Sequence, residues 1–202
     1  ALALLAALLA CSGEDDPIPD PCAGAVPGPG WIAYVSRRAG NYDVRLVSPD
    51  GRCDRAIGDD PGDDLAPSFS VAANAVAFSG IRGGKPSIVV HDLATGTESV
   101  LDTGDLHAAN PAISPDGTTV AFEGRVPPAL PDVHLVPFAG GTPVALAASA
   151  ASDAGPAWQD DGTLVFVSDR TGTGTFQVWR VGTDGGGLEN KREVAWYIPI
   201  AL

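Results

Sequence analysis

Basic residues are scarce in this 202-residue chain: 12 Lys plus Arg stand against 25 Asp plus Glu, for a net charge of −13. Nucleic-acid binding draws its affinity from cations that neutralise phosphates, so a nucleic-acid partner is excluded. Histidine and cysteine are equally sparse, three of each. Neither C-x-x-C nor H-x-x-x-H spacing occurs, and His91, His107 and His134 fall in unrelated positions, which leaves no case for zinc. There is no G-x-S-x-G elbow either, so no serine-nucleophile motif is present. No catalytic constellation and no cofactor are expected. A helical apolar period of 3.6 residues is also missing, which argues against helical repeats. The one uninterrupted apolar run, residues 1–10, is half the roughly 20 residues that a membrane-spanning helix needs.

Turn formers are abundant by contrast, with 25 Gly and 18 Pro. Such a composition favours many short strands. The Ala/Leu run of residues 1–10 reads as the remnant of a signal peptide whose Met and basic n-region precede it. It ends in Leu8-Leu9-Ala10-Cys11, which resembles the bacterial lipobox. That resemblance implies cleavage before Cys11 and lipidation of its thiol. Several acyl chains, at about 0.8 kcal/mol per buried methylene, would hold the protein stably on a membrane. Ser12, the next residue, is of the type that permits export to the outer membrane. Residues 11–30 are acidic and rich in Pro and Gly, and are expected to form a solvated spacer between the anchor and the folded part.

From Trp31 onward the chain repeats. WIAYVSRRAG at 31, AVAFSGIRGG at 75, TVAFEGRVPP at 119 and TLVFVSDRTG at 163 superpose with a step of 44 residues. Tyr34, Phe78, Phe122 and Phe166 share one phase, and Ile32, Val76, Val120 and Leu164 another, with small residues between them. Apolar residues on both faces of a short run rich in β-branched and aromatic types predict a strand covered on both sides. A second set, DVRLVSPDG at 43, SIVVHDLATG at 87, DVHLVPFAGG at 132 and QVWRVGTDGG at 177, recurs at 44 or 45 residues. Each member ends in a turn pair, read as a type I′ hairpin. A third set, PSFS at 67, PAIS at 111 and PAWQ at 156, places Pro at the start of an inner strand. Four strands in a period of 40 to 45 residues predict an all-β fold of propeller blades. The expected blades lie near 31–66, 67–110, 111–155 and 156–202. SPDG occurs at 48–51 and again at 114–117, a separation of 66 or one and a half periods. The two copies therefore belong to different hairpins.

Pro111 to Phe122, P-A-x-S-P-D-G-x-x-V-A-F, and Phe166 to Arg170, F-V-S-D-R, resemble the TolB-like, WD40-like propeller repeat of bacterial envelope proteins. The resemblance covers residue 31 to about 187. Blade 2 departs from it with Val71-Ala72-Ala73-Asn74 in place of SPDG, and blade 1 has its innermost strand missing or reduced to Cys22 to Val26. Such propellers usually have six or more blades, so four blades and an ill-matched tail from Asn190 imply an incomplete propeller.

Three groups of residues invite a functional reading. Arg38, Arg82 and Arg170 share a phase that Val126 breaks, and structural pairing with nearby acids such as Asp43 is preferred over an anion-binding ring. GDDPGDD at 58–64 is dense in carboxylates but lacks the calcium-loop spacing and is read as a solvated acidic loop. Cys22 and Cys53 are the candidate disulfide. If Cys22 begins an innermost strand, it lies about 14 Å, three strands, from Cys53 and cannot bridge to it. If residues 22–30 form a free tether, it can.

The resemblance implies an envelope lipoprotein at the periplasmic face of the outer membrane. Its propeller would bind an envelope protein or a peptidoglycan-associated partner, with no chemistry of its own. The alternative is the propeller of a prolyl-oligopeptidase-like peptidase or other propeller enzyme whose catalytic part lies elsewhere. A polysaccharide lyase on a related propeller would need clustered His ligands over the channel.

Overall fold

In the computed structural model, residues 20–191 are described, apart from positions 39 and 59. The signal remnant at 1–10, Cys11, spacer residues 12–19 and the tail from 192 lie outside the described residues.

Fifteen strands and no helix make up the described part. Blade 1 contains β1 (Ile32–Ser36), β2 (Asp43–Val47) and β3 (Asp54–Ala56); blade 2 contains β4 (Leu65–Ser70), β5 (Ala75–Arg82), β6 (Lys85–Asp92) and β7 (Glu98–Val100). Blade 3 contains β8 (His107–Ile113), β9 (Thr119–Arg125), β10 (Asp132–Pro137) and β11 (Val144–Ala145). Blade 4 contains β12 (Asp153–Asp160), β13 (Thr163–Ser168), β14 (Gln177–Gly182) and β15 (Glu189–Asn190). Each sheet is an antiparallel meander in chain order, three-stranded in blade 1 and four-stranded in the others. The inner strands β4, β8 and β12 stand side by side, with β1 next to β4, so the sheets follow one another in an arc. This is the all-β architecture of an incomplete propeller.

The 44-residue phase decides which side chains meet. One face of each blade carries Phe78 and Val76 in blade 2, Phe122 and Val120 in blade 3, and Phe166 and Leu164 in blade 4, all at most 1% exposed. Those faces pack on the opposite face of the preceding blade. Phe78 and Val76 meet Ala33, Val44 and Leu46; Phe122 meets Ala75 and Ala77; Phe166 meets Ala121 and Val133. Small residues on one sheet make room for the ring of the next. Burying such a ring contributes about 1.5–3 kcal/mol.

Several local expectations are corrected. The inner strands begin before their prolines, at Leu65, His107 and Asp153, because each carries a register shift around the X-Pro step. The hairpins that lead into the outermost strand of each blade are not uniformly type I′: only the glycine of Asp50-Gly51, Thr95-Gly96 and Asp184-Gly185 has positive φ, whereas Gly140 and Gly141 both do. Residues 22–30 form no strand. Cys22 instead lies beside the outermost strand of blade 1, disulfide-bonded to Cys53 with a Cα–Cα distance of 4.7 Å.

The two SPDG copies turn different strand pairs with the same hydrogen bonds. Gly51 N–H donates to Ser48 C=O at 2.9 Å and Gly117 N–H to Ser114 C=O at 2.9 Å. Ser48 and Ser114 hydroxyls donate to Asp50 and Asp116 at 2.6 and 2.5 Å, and accept from the N–H of Cys53 and Thr119. Gly117 also abuts blade 2: a Cβ there would lie 2.6 Å from Ala73 N, while one at Gly96, equally left-handed, would meet nothing. Gly117→Ala is therefore expected to cost about 1–3 kcal/mol through backbone strain and inter-blade clash, and Gly96→Ala about 1 kcal/mol from the φ penalty alone. Urea denaturation of the two variants checks the order.

Candidate functional site

The inner strands line an open groove of about 730 Å³. Its walls are Trp31 to Ala33 at the start of β1, residues 66–72 around β4, residues 110–115 around β8, and residues 155–158 of β12, with Val165 to Val167 and Val178 at one flank. None of these lining residues carries a charge. In a chain with a net charge of −13, that concentrates an apolar, neutral surface where the blades converge.

An unusual backbone feature repeats along the groove. Ala66, Asn110 and Gly155, each directly before a proline, have φ of 50°, 51° and 58°. The left-handed region is costly for a residue with a Cβ, and the α conformation is disfavoured before proline. At Ala66 and Asn110 such strain is on the order of 1–3 kcal/mol per site, while Gly155, with no Cβ, adopts the same φ without that penalty. The preceding blade holds the conformation at Asn110 and Gly155. Asn110 N–H donates to Ser79 Oγ at 2.8 Å, and Gly155 N–H donates to Glu123 Oε1 at 2.7 Å. Ser79 and Glu123 are equivalent positions of β5 and β9, so one inter-blade bond is made twice. Val35 occupies that position in β1 and offers no acceptor. The Asn110 amide also donates to Glu123 at 2.7 Å, Ile113 N–H to Ser68 Oγ at 2.9 Å, and Trp158 Nε1–H to Ala112 C=O at 2.9 Å. The groove is thus a set of strained inner strands stitched blade to blade. Sequence reasoning missed it; Asn or Gly before Pro was the visible signal.

The in-phase arginines are held by acids. Arg82 meets Asp64 at 3.1 Å, with Asp60 and Glu98 each at 3.6 Å. Arg170 donates to Asp153 at 2.6 Å, to Ala147 C=O at 3.0 Å and to Ser168 Oγ at 3.0 Å, and its guanidinium lies 5.1 Å from both the Phe166 and Trp179 rings. Burial pushes the Asp153 carboxyl up, opposed by Ser168 and Arg170. Arg38 pairs with Asp54 at 2.5 Å, and not with Asp43, which accepts from the Asn41 amide at 2.8 Å instead. Tyr34 and Arg45 also donate to Asp54, at 2.8 and 2.9 Å. Burial raises the Asp54 carboxyl, but hydrogen bonds from Arg38, Tyr34 and Arg45 outweigh it and hold it at about 2.

The acidic loop is consumed locally: Asp60 caps Gly62 N–H at 2.8 Å, Asp63 accepts from Tyr42 N–H at 2.9 Å, and Asp64 takes Arg82. His91, His107 and His134 lie on β6, β8 and β10, with His134 stacked on Phe122. Among the described residues, no group of three or more His, Cys, Asp or Glu is arranged to hold a metal ion.

A family model described as the TolB beta propeller domain matches residues 30–195. The chain belongs to that family. It is 29% identical over 158 residues to the Tol-Pal system protein TolB of Bordetella pertussis, covering 77% of this chain and 35% of that protein. The chain therefore spans about a third of the length of this relative. Among solved structures, TolB from Acinetobacter baumannii matches with a TM-score of 0.68 and 24% identity, over 82% of this chain and 42% of that one. A puromycin hydrolase variant complexed with PGG matches with a TM-score of 0.62 and 16% identity, over 79% of this chain and 26% of that one. These last two likenesses show the fold.

Asp153 and Arg170 of blade 4 recur as Asp64 and Arg82 two blades earlier, whereas blade 3 carries Ala108 and Val126 at the two positions. In blades 2 to 4 the pair is present or absent as a unit, while Arg38 of blade 1 takes Asp54 of β3 instead. Asp153→Ala should therefore cost about 3–5 kcal/mol by stranding a buried guanidinium, and Asp153→Ala with Arg170→Val should recover most of that loss. Chemical denaturation of the single and double variants measures the coupling.

Proposed function

We propose that this chain is the propeller of an envelope lipoprotein that binds another protein or a peptidoglycan-associated partner and performs no chemistry itself. The observation that carries this reading is the neutral, apolar groove built from strained, inter-blade-bonded inner strands. Such a surface suits docking of a macromolecular segment, since its recognition elements are backbone groups and packing positions. The arginines and carboxylates that could have served chemistry are instead paired with one another away from the groove lining. Membership of the TolB propeller family supports a place in the bacterial envelope, on the periplasmic side. Lipidation at Cys11, within Leu8-Leu9-Ala10-Cys11, would anchor the chain to the outer membrane with residues 12–30 as spacer.

A second reading is the propeller of a peptidase, favoured by the likeness to the puromycin hydrolase. A G-x-S-x-G elbow on a strand-to-helix turn in the same gene product would select it.

Site-specific photo-crosslinking in a bacterial host tests the scaffold reading. A photoreactive residue at Ala112 in the groove is expected to yield an adduct with an envelope protein or with peptidoglycan, while the same residue at Val144, on an outermost strand, yields none. Equal labelling from both positions, or none from Ala112, would count against it.

A further inference from the structure

A second cleft, of about 410 Å³, lies between blades 2 and 3 and shares no lining residue with the groove. Both of its walls belong to blades that have a neighbour on either side. Blade 2 supplies Ala75 of β5, Val90 and Asp92 of β6, and residues around β7 from Thr97 to Asp102; blade 3 supplies the turn after β10, Phe138 to Gly140. The 44-residue period accounts for the space. Ala75 stands where the other blades carry Trp31, Thr119 and Thr163, and Val90 where they carry Leu46, Leu135 and Arg180. Each is the smallest of its set, so blade 2 is thinned on the face it turns to blade 3. Ala75, Val90 and Leu101 are buried and, with Phe138 packed against the same cluster, make an apolar floor.

Charge in the cleft is of one sign. Asp92 and Asp102 line it, and no Lys, Arg or His does. Asp92 accepts from the N–H groups of Ala94 and Thr95 and from the Thr95 hydroxyl at 2.9, 2.8 and 3.0 Å, all through Oδ1. Asp102 accepts from Gly104 N–H at 2.9 Å, also through Oδ1. Among the described residues, Oδ2 of each takes no hydrogen bond. The Thr95 and Ala94 donors hold the Asp92 carboxyl below the ordinary carboxylate range, so it is negative at neutral pH.

The two carboxylates stand at opposite ends. Asp92 N–H donates to Thr97 C=O, and Leu101 N–H, next to Asp102, donates to Ile88 C=O, both at 2.9 Å. The four residues of β6 between Ile88 and Asp92 span about 13 Å. An apolar floor therefore runs between two anionic ends. A compact cation meets only one of them, and a neutral or anionic ligand would cover carboxylates without pairing them. A chain of methylenes with an ammonium at each end pairs with both and buries its stem between.

We propose that this cleft binds a linear aliphatic diamine, with one ammonium at Asp92, the other at Asp102, and the methylenes over Ala75, Val90 and Leu101. The site is separate from the groove, so the scaffold reading above stands or falls without it.

Amide chemical-shift mapping of the oxidised protein, titrated with octamethylenediamine, tests the proposal. Saturable shifts are expected at Val90, Ser99 and Ala139, with a Kd on the order of 1 mM or tighter. Octylamine, with one ammonium, and tetramethylenediamine, too short to reach both ends, should each bind about fivefold more weakly. Octanediol should not bind. Ser99→Arg on β7 and Ala139→Arg on the facing turn replace exposed side chains with a cation, and each should abolish the saturable shifts. A chain of net charge −13 attracts any dication, so binding that survives both substitutions, or shifts scattered over the acidic turns, would be general attraction and overturns the proposal. It is equally overturned by absence of saturable binding, or by octylamine or octanediol binding as tightly as the diamine.

Discussion

Everything in this structure depends on one contact, an aromatic ring from one blade seated on the small residues of the blade before it. Phe78, Phe122 and Phe166 are fully or almost fully buried, and the partners that receive them are Ala33, Ala77 and Ala121 with their branched neighbours. A single four-stranded sheet cannot bury both of its faces. Stacked in series, each sheet covers one face of the next, so stability is shared between neighbours in the manner of repeat proteins. The inner-strand geometry follows from this stacking, because the acceptors for the N–H groups of the left-handed Asn110 and Gly155 reach across from the preceding sheet. Loosening one interface would remove both the core contact and the bond that holds the groove wall.

The first blade departs from the rule in a physically coherent way. Where the other blades pair Phe78 with Val89, Phe122 with His134 and Phe166 with Trp179, blade 1 pairs Tyr34 with Arg45, tied through Asp54 to Arg38. That network satisfies the polar groups on the face of blade 1 that corresponds to the Phe78, Phe122 and Phe166 faces of the other blades.

Much of the fold was legible in the sequence because each apolar side chain serves a repeated purpose. The 44-residue spacing of Tyr34, Phe78, Phe122 and Phe166 identified the central strands and the number of sheets, and turn residues marked the hairpins. Less was legible where the determinant lay in another blade. The early start of β4, β8 and β12 depends on bulges, in β8 and β12 propped by the preceding sheet, so the prolines looked like strand beginnings. The partner of Arg38 depends on the pairing of β2 with β3, which brings Asp54 beneath it, while Asp43 is nearer in sequence. Cys22 was ambiguous because the period assigned it to a strand that the chain does not form. The groove was invisible for a related reason: its character is the absence of charge at positions scattered over four sheets, which no local motif expresses.

The central claim is that the blades are held by their mutual interfaces and not by each sheet alone. Native-state hydrogen exchange in increasing urea, resolved by strand, tests it most directly. The account predicts that the amides of β5 and β9, each flanked by covered faces, exchange slowest and through one shared opening, with those of β1 and β14 exchanging earlier. Four independent openings, one per sheet, with β1 as slow as β5, would contradict it.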